Sequence, residues 1–396
     1  MGYNFVIQPF HDYRKWEKEG YRTRDAHFFQ QLEKRKDVDN IIIVNRPLSL
    51  AERIIKGDSL KNIGFFVFND ENFSIRKISE KTYVFDFYTS DFIKVIIENR
   101  KWWDTIFRSK KITNKIKLGL KFLEISDYIL LIQNPMAIGL AESLNYNLFV
   151  FDVIDNWLEH PQMRSIVSTI KSNYKEAEGK ADLIISVSEN NKEIFSSDCN
   201  KFVEITNGVD FDKFSVLDSI NFNPEYPIIG YIGKIQERFD LELLVKLANI
   251  NTNYRLMIYG PLLALKKEAK EIEKKYSNIQ FLGEVPYEKL PTIVNTFDIG
   301  IIPHKVTRFT KSMNPLKLYE YLSCGTPVVT SKVNGVDGIS KFVSVCISDK
   351  EFLTELSNLV EELHHITRTE VRNSLDDSFS WENKTQQLIK EIDRYV

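Results

Sequence analysis

Long apolar runs are missing from this 396-residue chain. It has no stretch of the roughly 18 apolar residues that a spanning helix needs, so no transmembrane segment is expected. Cysteine is scarce. Cys199, Cys324 and Cys346 are far apart and odd in number, which excludes a disulfide framework and a cysteine metal site and suits a reducing cytoplasm. An excess of one charge is also missing, with 53 basic against 55 acidic residues and a net charge of −2, so no global polyanion-binding role follows. The opening Met1-Gly2-Tyr3-Asn4-Phe5-Val6-Ile7 lacks the charged lead and long apolar core of a signal peptide and reads as a first strand. A cytoplasmic protein is expected, able to sit peripherally on the inner face of the cell membrane.

What is present is alternation. Short apolar runs such as Asn4–Ile7, Ile41–Val44, Tyr128–Ile132, Leu148–Phe151 and Leu183–Val187 alternate with helical patterns. The series resumes at Ile228–Ile232, Arg255–Ile258, Ile279–Phe281, Ile299–Ile302, Val328–Thr330 and Val343–Ile347. Runs apolar on both faces and separated by helices argue for buried parallel strands. Two such series predict an α/β chain of two doubly wound domains; an eight-fold barrel fits the strand count and the mid-chain break badly. The expected divisions are residues 1–207, a linker at 208–227 rich in turn formers, 228–380, and a last helix within 381–396.

One block stands out, Asn314-Pro-Leu-Lys-Leu-Tyr-Glu-Tyr-Leu-Ser-Cys-Gly-Thr-Pro-Val-Val-Thr-Ser331. Pro315 suits a first helical turn, Leu316, Leu318, Tyr319 and Leu322 recur at helical spacing, and Gly325 with Pro327 ends the helix before a strand. The helix start offers backbone N–H groups and a positive dipole end to an anion, and Lys317 adds a full charge. Glu320, one turn on, suits paired sugar hydroxyls. Residues 228–240 repeat the plan: an apolar strand, a loop with Lys234 and Arg238, then a helix opened by Asp240. Both place basic groups past strand ends, the ligand edge of an open parallel sheet.

Asn207-Gly208-Val209-Asp210, Gly230-Tyr-Ile-Gly-Lys-Ile235, Phe281-Leu-Gly-Glu-Val-Pro-Tyr287 and the Asn314–Ser331 block occur in that order. Together they resemble the C-terminal half of GT-B glycosyltransferases, closest to family 4-like bacterial enzymes of surface-polysaccharide assembly, including the teichuronic-acid type. The resemblance covers roughly residues 180–396 well and the first half only in layout, where Phe151-Asp-Val-Ile-Asp-Asn-Trp157 looks like the family's tract after a mid-domain strand. It implies a GT-B fold: two facing Rossmann-like domains, with the C-terminal helix Trp381–Ile392 crossing back to the first. It implies a metal-independent transfer of one sugar from a nucleotide-diphosphate donor, expected to be uridine-linked, to a growing glycan that a lipid can carry. No cofactor beyond this co-substrate is expected. By position, Gly233 would let the backbone approach the diphosphate, Lys234 and Arg238 would be its charge partners, Leu316 and Lys317 would supply phosphate-binding amides, and Glu320 would hold the ribose. Where retaining members carry a second glutamate eight positions before Glu320, this chain has Ser312, which leaves the sugar and the anomeric outcome open.

An inverting reaction needs a base for the acceptor hydroxyl. Asp155 is the first candidate and Asp152 the second, both just past the run Leu148–Phe151; both also read as turn caps, and His160 is a further alternative. His11, Arg24 and His27 flank the loop after the first strand and are acceptor-side candidates. His304 follows Ile299–Ile302 and falls near the donor sugar in this layout. Asp210-Phe-Asp212 has the Asp-x-Asp form of a metal site but lies in the linker, and no metal is expected. Residues 100–121 hold eight basic residues against Asp104 alone, interleaved with Trp102, Trp103 and Phe107. Such a segment suits an anionic membrane surface; a solvated helix with its aromatics in the core is the other reading. No nucleic-acid fold signal accompanies it. Two rivals stay open, a nucleotide-sugar epimerase of the same fold and a non-catalytic sugar-nucleotide binding protein.

Overall fold

The computed structural model describes residues 2–49, 52, 63–217 and 220–396. The chain divides into two compact units, Met1–Ile205 with Thr385–Val396, and Thr206–Lys384.

The first unit is built on β1 (Tyr3–Gln8), β2 (Val38–Val44), β3 (Leu48–Ser49), β4 (Phe65–Asp70), β5 (Phe73–Lys77), β6 (Thr82–Thr89), β7 (Ile129–Ile132), β8 (Leu148–Val153), β9 (Leu183–Ser186) and β10 (Phe202–Glu204). Their order is β10-β9-β8-β7-β1-β2-β6-β5-β4, with β3 pairing β6. Phe5, Val6 and Ile7 of β1 and all four residues of β7 are buried, as both-face apolar runs require in a parallel sheet covered by helices. The chain winds outward from β1 through β2 to β6 and then returns to β7 on β1's other side, making a switch point between β1 and β7.

One edge departs from the expected all-parallel sheet. β4 and β5 form an antiparallel hairpin, and β5 also runs antiparallel to β6. Phe73-Ser-Ile-Arg-Lys77 has a polar residue at every second position, so no apolar run marks it in the sequence. It is held by ring packing, with Phe73 stacked on Phe87 at 5.2 Å and edge-on to Phe85 at 5.5 Å between centroids.

In the second unit β11 (Ile228–Ile232), β12 (Arg255–Tyr259), β13 (Ile279–Gly283), β14 (Ile299–Ile302), β15 (Val328–Ser331) and β16 (Val343–Cys346) form one sheet, ordered β13-β12-β11-β14-β15-β16. Every pairing is parallel. Winding reverses between β11 and β14, so their carboxyl ends open the unit's ligand crevice. The segment after Thr206 packs onto this unit: Phe214 is fully buried, and the Asn295 side chain binds both Leu217 N and Ser215 O at 2.9 Å. Residues 218 and 219 of that segment lie outside the described residues.

The last helix, Trp381–Ile392, begins in the second unit, but its residues from Thr385 onward belong to the first. Arg35 donates to Gln386 Oε1 at 2.7 Å, and the Tyr3 hydroxyl donates to Asp393.

Candidate functional site

The crevice of the second unit is assembled from two loops and one helix start. After β11 the chain turns at Gly233, whose φ of 138° is open to glycine alone without strain. A Cβ there would lie 2.5 Å from Lys317 Nζ, so the missing side chain makes room for the ammonium. Gly260, at the end of β12, has a φ of 140°, and a Cβ there would meet the Gly233 carbonyl oxygen at 1.9 Å. The loop from Arg238 to Asp240 is tied to the loop after β14: Lys305 N donates to Arg238 O and Asp240 N to Pro303 O, both at 2.8 Å. Asp240 then caps the helix Leu241–Ala248, accepting from Glu242 N and Leu243 N at 3.0 Å.

The third component is the helix Leu316–Ser323. Pro315 sits at its cap, one position before the expected first turn, and no side chain caps this end. Upstream, Asn314 binds the Asn207 segment twice, its Oδ1 accepting from Asn207 N at 2.9 Å and its carbonyl from Asn207 Nδ2 at 2.6 Å. Two motifs 107 residues apart thus hold the helix start in place.

Charge gathers where these parts meet. The Lys317 ammonium lies 3.9 Å from the centroid of the Tyr231 ring. Burial, then the neighbouring Arg238, hold its pKa well below the ordinary lysine value, while Glu320 works the other way. Behind it, the Tyr231 hydroxyl and His304 Nε2 are 3.3 Å apart. Burial, then Lys317 and Arg238, keep the imidazole well below its usual pKa and so neutral. Glu320 is buried and accepts from the Tyr287 hydroxyl at 3.3 Å. Ser312, in the place of the second glutamate, is buried and donates to Phe309 O at 2.7 Å.

The expected donor residues Gly233, Arg238, Lys317 and Glu320 therefore gather in one crevice. Leu316 is the first helical residue, and Lys234 follows Gly233, its carbonyl accepting from the Tyr231 hydroxyl at 3.4 Å. Sequence reading missed Tyr231 and Tyr287. Tyr231 carried one usable signal, since it lies next to the carboxyl end of β11, two residues before the turn at Gly233.

The first unit distributes its candidates differently. Arg24 and Asp152, expected at the acceptor side and as a second base, are bound to each other. Arg24 Nε reaches the two Asp152 oxygens at 3.2 and 3.1 Å, and its Nη1 donates to Ile205 O at 2.8 Å. Gln133 Nε2 also donates to Asp152, at 3.0 Å, and Arg24 and Asp152 are 2% and 1% exposed. A carboxylate so enclosed is a strut of the sheet end. His27 is buried within the helix Arg24–Lys34. His11 lies at the switch point, half-buried, its backbone N–H donating to the buried Asp25 at 2.7 Å. Asp155 is half-exposed on the loop after β8, its carbonyl accepting from the Tyr174 hydroxyl at 3.2 Å. His160 Nδ1 caps a 3₁₀ turn by accepting from Gln162 N.

Asp210 of the Asp-x-Asp tract is a turn cap, accepting from Asp212 N and Lys213 N at 3.1 Å. Among the described residues no three His, Cys, Asp or Glu side chains gather as a metal site would. In the basic aromatic segment Trp102 and Phe107 enter the core, and Arg108 is engaged by Asp104 at 3.0 Å and Glu176 at 2.7 Å. Lys110, Lys111, Lys117 and Lys121 line the exposed side of the helix Lys110–Phe122, beside the half-exposed Leu118 and Phe122. Among the described residues no helix is long and apolar enough to cross a membrane.

Two Rossmann-like units with a returning helix make this a GT-B fold, and solved glycosyltransferases share it across the whole chain. Sucrose-phosphate synthase of Thermosynechococcus elongatus superposes with a TM-score of 0.70 at 13% identity, covering 100% of this chain and 99% of that one. Anabaena HepE, solved with UDP and glucose, gives 0.65 at 14% identity over 99% and 100%. The catalytic domain of starch synthase IV of Arabidopsis thaliana, bound to ADP and acarbose, gives 0.67 at 14% over 100% and 99%. Within that fold, residues 212–363 match the family of glycosyl transferases group 1. A curated relative, "Putative teichuronic acid biosynthesis glycosyltransferase TuaH" of Bacillus subtilis, is 23% identical over 195 residues. That alignment spans 47% of this chain and 49% of the relative, so the chain covers about half the length of the curated protein it matches. The resemblance read from the ordered motifs is borne out at the level of the fold, and residues 212–363 of its C-terminal half match the group 1 family model.

Proposed function

We propose that this chain is a glycosyltransferase that moves a sugar from a nucleoside diphosphate, uridine-linked, to a growing surface glycan carried on lipid. One observation carries the reading: the Lys317 ammonium is lodged against Gly233 at the end of β11, beside Arg238 and an uncapped helix start. Glycosyl transfer expels a nucleoside diphosphate whose charge grows as the bond breaks. Fixed cations and helix N–H groups stabilise that charge in the transition state. Lys317 and Arg238 take the charge role that a metal has elsewhere, so turnover is proposed to survive EDTA. Leu316 and Lys317 offer amides to the phosphates, Lys234 borders them, and Glu320 receives the ribose hydroxyls.

Asp155 is proposed as the base for the acceptor hydroxyl if the anomeric centre inverts, with His11 beside the acceptor. Arg24, Asp152 and His27 are assigned to the framework by their burial. The uridine donor draws support from HepE, solved with UDP-glucose, and the surface glycan from the teichuronic-acid relative. The exposed Lys110, Lys111, Lys117 and Lys121 support a peripheral seat on an anionic membrane.

The test is a thermal-shift screen of nucleotide sugars, since a bound donor stabilises the fold by mass action, followed by a transfer assay with the binding donor. Sugar appearing on the glycan acceptor supports the proposal. Free nucleotide released with an isomerised sugar marks an epimerase, and tight binding without turnover marks a binding protein.

A further inference from the structure

We propose that Tyr231 is a positioning residue of the donor site: its ring face carries the Lys317 ammonium ahead of the diphosphate, and His304 fixes the ring. The proposal rests on the donor-site reading above and adds to it what holds the lysine.

A lysine side chain loses up to ~2 kcal/mol of rotamer freedom when it is fixed. A site that leaves this ordering to the moment of binding weakens its ligand by that amount. Proteins often fix a lysine with a carboxylate, but an arriving phosphate must then break the ion pair. Among the described residues no carboxylate stands within ion-pair distance of Lys317. An aromatic face holds a cation through its quadrupole without neutralising it. The ammonium is 3.9 Å from the Tyr231 centroid, and a Cβ on Gly233 would touch both Lys317 Nζ, at 2.5 Å, and the Tyr231 hydroxyl, at 3.2 Å. Lys317 thus lies in a slot between glycine backbone and ring, with no ion-paired carboxylate for an arriving phosphate to displace.

The ring is itself constrained. Tyr231 is fully buried on β11. Phe239 packs edge-on against it with centroids 4.7 Å apart, and the hydroxyl meets His304 Nε2 at 3.3 Å. Phe239 and His304 form an isolated antiparallel bridge, so the two loops of the crevice close around Tyr231. A neutral imidazole here can exchange a hydrogen bond with the phenol without adding a third cation beside Lys317 and Arg238.

The experiment measures UDP affinity by calorimetry from pH 6 to 10 on the full chain, with melting curves confirming folding of each variant. The groups facing the Lys317 ammonium are Arg238, Glu320, His304 and Tyr231. Lys317→Met should bind UDP weakly and lose the alkaline limb of the profile. Tyr231→Phe keeps the face and should stay within about threefold of wild type. Tyr231→Leu should bind roughly tenfold more weakly, the scale of a desolvated cation–π contact. Its alkaline limb should also move to lower pH, because without the ring the charged ammonium is less favoured. Tyr231→Met, close in volume, should do the same if leucine fails to fold. A Tyr231→Leu or Tyr231→Met loss that is equal at every pH, with the limb unmoved, overturns the positioning role and leaves Tyr231 as packing. Wild-type affinity in these variants, with Lys317→Met impaired, overturns it as well. Wild-type affinity in Lys317→Met overturns instead the donor-site reading on which the proposal rests.

Discussion

Glu320→Gln isolates one charge with almost no change of shape. The carboxylate is 7% exposed and accepts the Tyr287 hydroxyl at 3.3 Å. A glutamine carbonyl can accept that same hydroxyl, so the contact with Tyr287 survives. What the proposed donor site would lose is a charge-assisted bond to ribose hydroxyls, worth about 1.5–3 kcal/mol. That corresponds to a UDP dissociation constant raised roughly 13- to 160-fold. Calorimetry with UDP and 2′-deoxy-UDP separates this from general damage. Wild type should prefer UDP, and the variant should bind the two nearly alike, because the group that read the hydroxyl has gone. An unchanged UDP affinity would remove Glu320 from the site and leave it as a buried partner of Tyr287.

The Arg24–Asp152 pair should be costly to break from one side: Asp152→Ala should lose about 3–5 kcal/mol in urea unfolding, with much of it restored by adding Arg24→Met. His304, held below its usual pKa first by burial and then by Lys317 and Arg238, stays neutral while the unfolded chain takes up a proton. Stability should therefore fall as the pH drops through the unfolded imidazole value of about 6.5, and His304→Gln should flatten that acid limb in pH-dependent melting. If product NMR shows inversion, Asp155→Asn should cut turnover roughly 10²- to 10⁴-fold with donor affinity unchanged; turnover near wild type would return Asp155 to a loop role. Flotation on anionic liposomes should weaken with salt and with Lys110/Lys111/Lys117/Lys121→Glu, and equal recovery of variant and wild type would refute the membrane seat. Lys115 is spared because it donates to Asn72 O at 2.8 Å.

The parallel strands were legible because burial on both faces leaves an apolar run, as in β1, β7 and β14. β5 was not, since a short antiparallel strand with alternating polar residues resembles a loop. At the site, Gly233 and Lys317 could be read from strand-loop-helix punctuation, a local signal. The pairing of Arg24 with Asp152 spans 128 residues, and nothing local announces it. An arginine and an aspartate near strand ends look the same in sequence whether they meet a ligand or each other. The aromatic residues at 102 and 107 left two readings open, because charge on one helix side and packing on the other share one stretch of letters. Tyr231 fell between these cases: its strand was plain, but its partner on a later helix was not.

The first unit is discontinuous in sequence, and this bears on the order in which the protein is made. β1 is synthesised well before the last helix, and its Tyr3 hydroxyl finds Asp393 only after 390 residues. Between Ile205 and Thr385 the ribosome must deliver the whole second unit. At roughly 5–20 residues per second those 180 or so residues take on the order of 10 to 40 seconds. Throughout that interval the first unit lacks Thr385–Val396, so deleting that segment should disturb the part of the protein that emerged before the second unit.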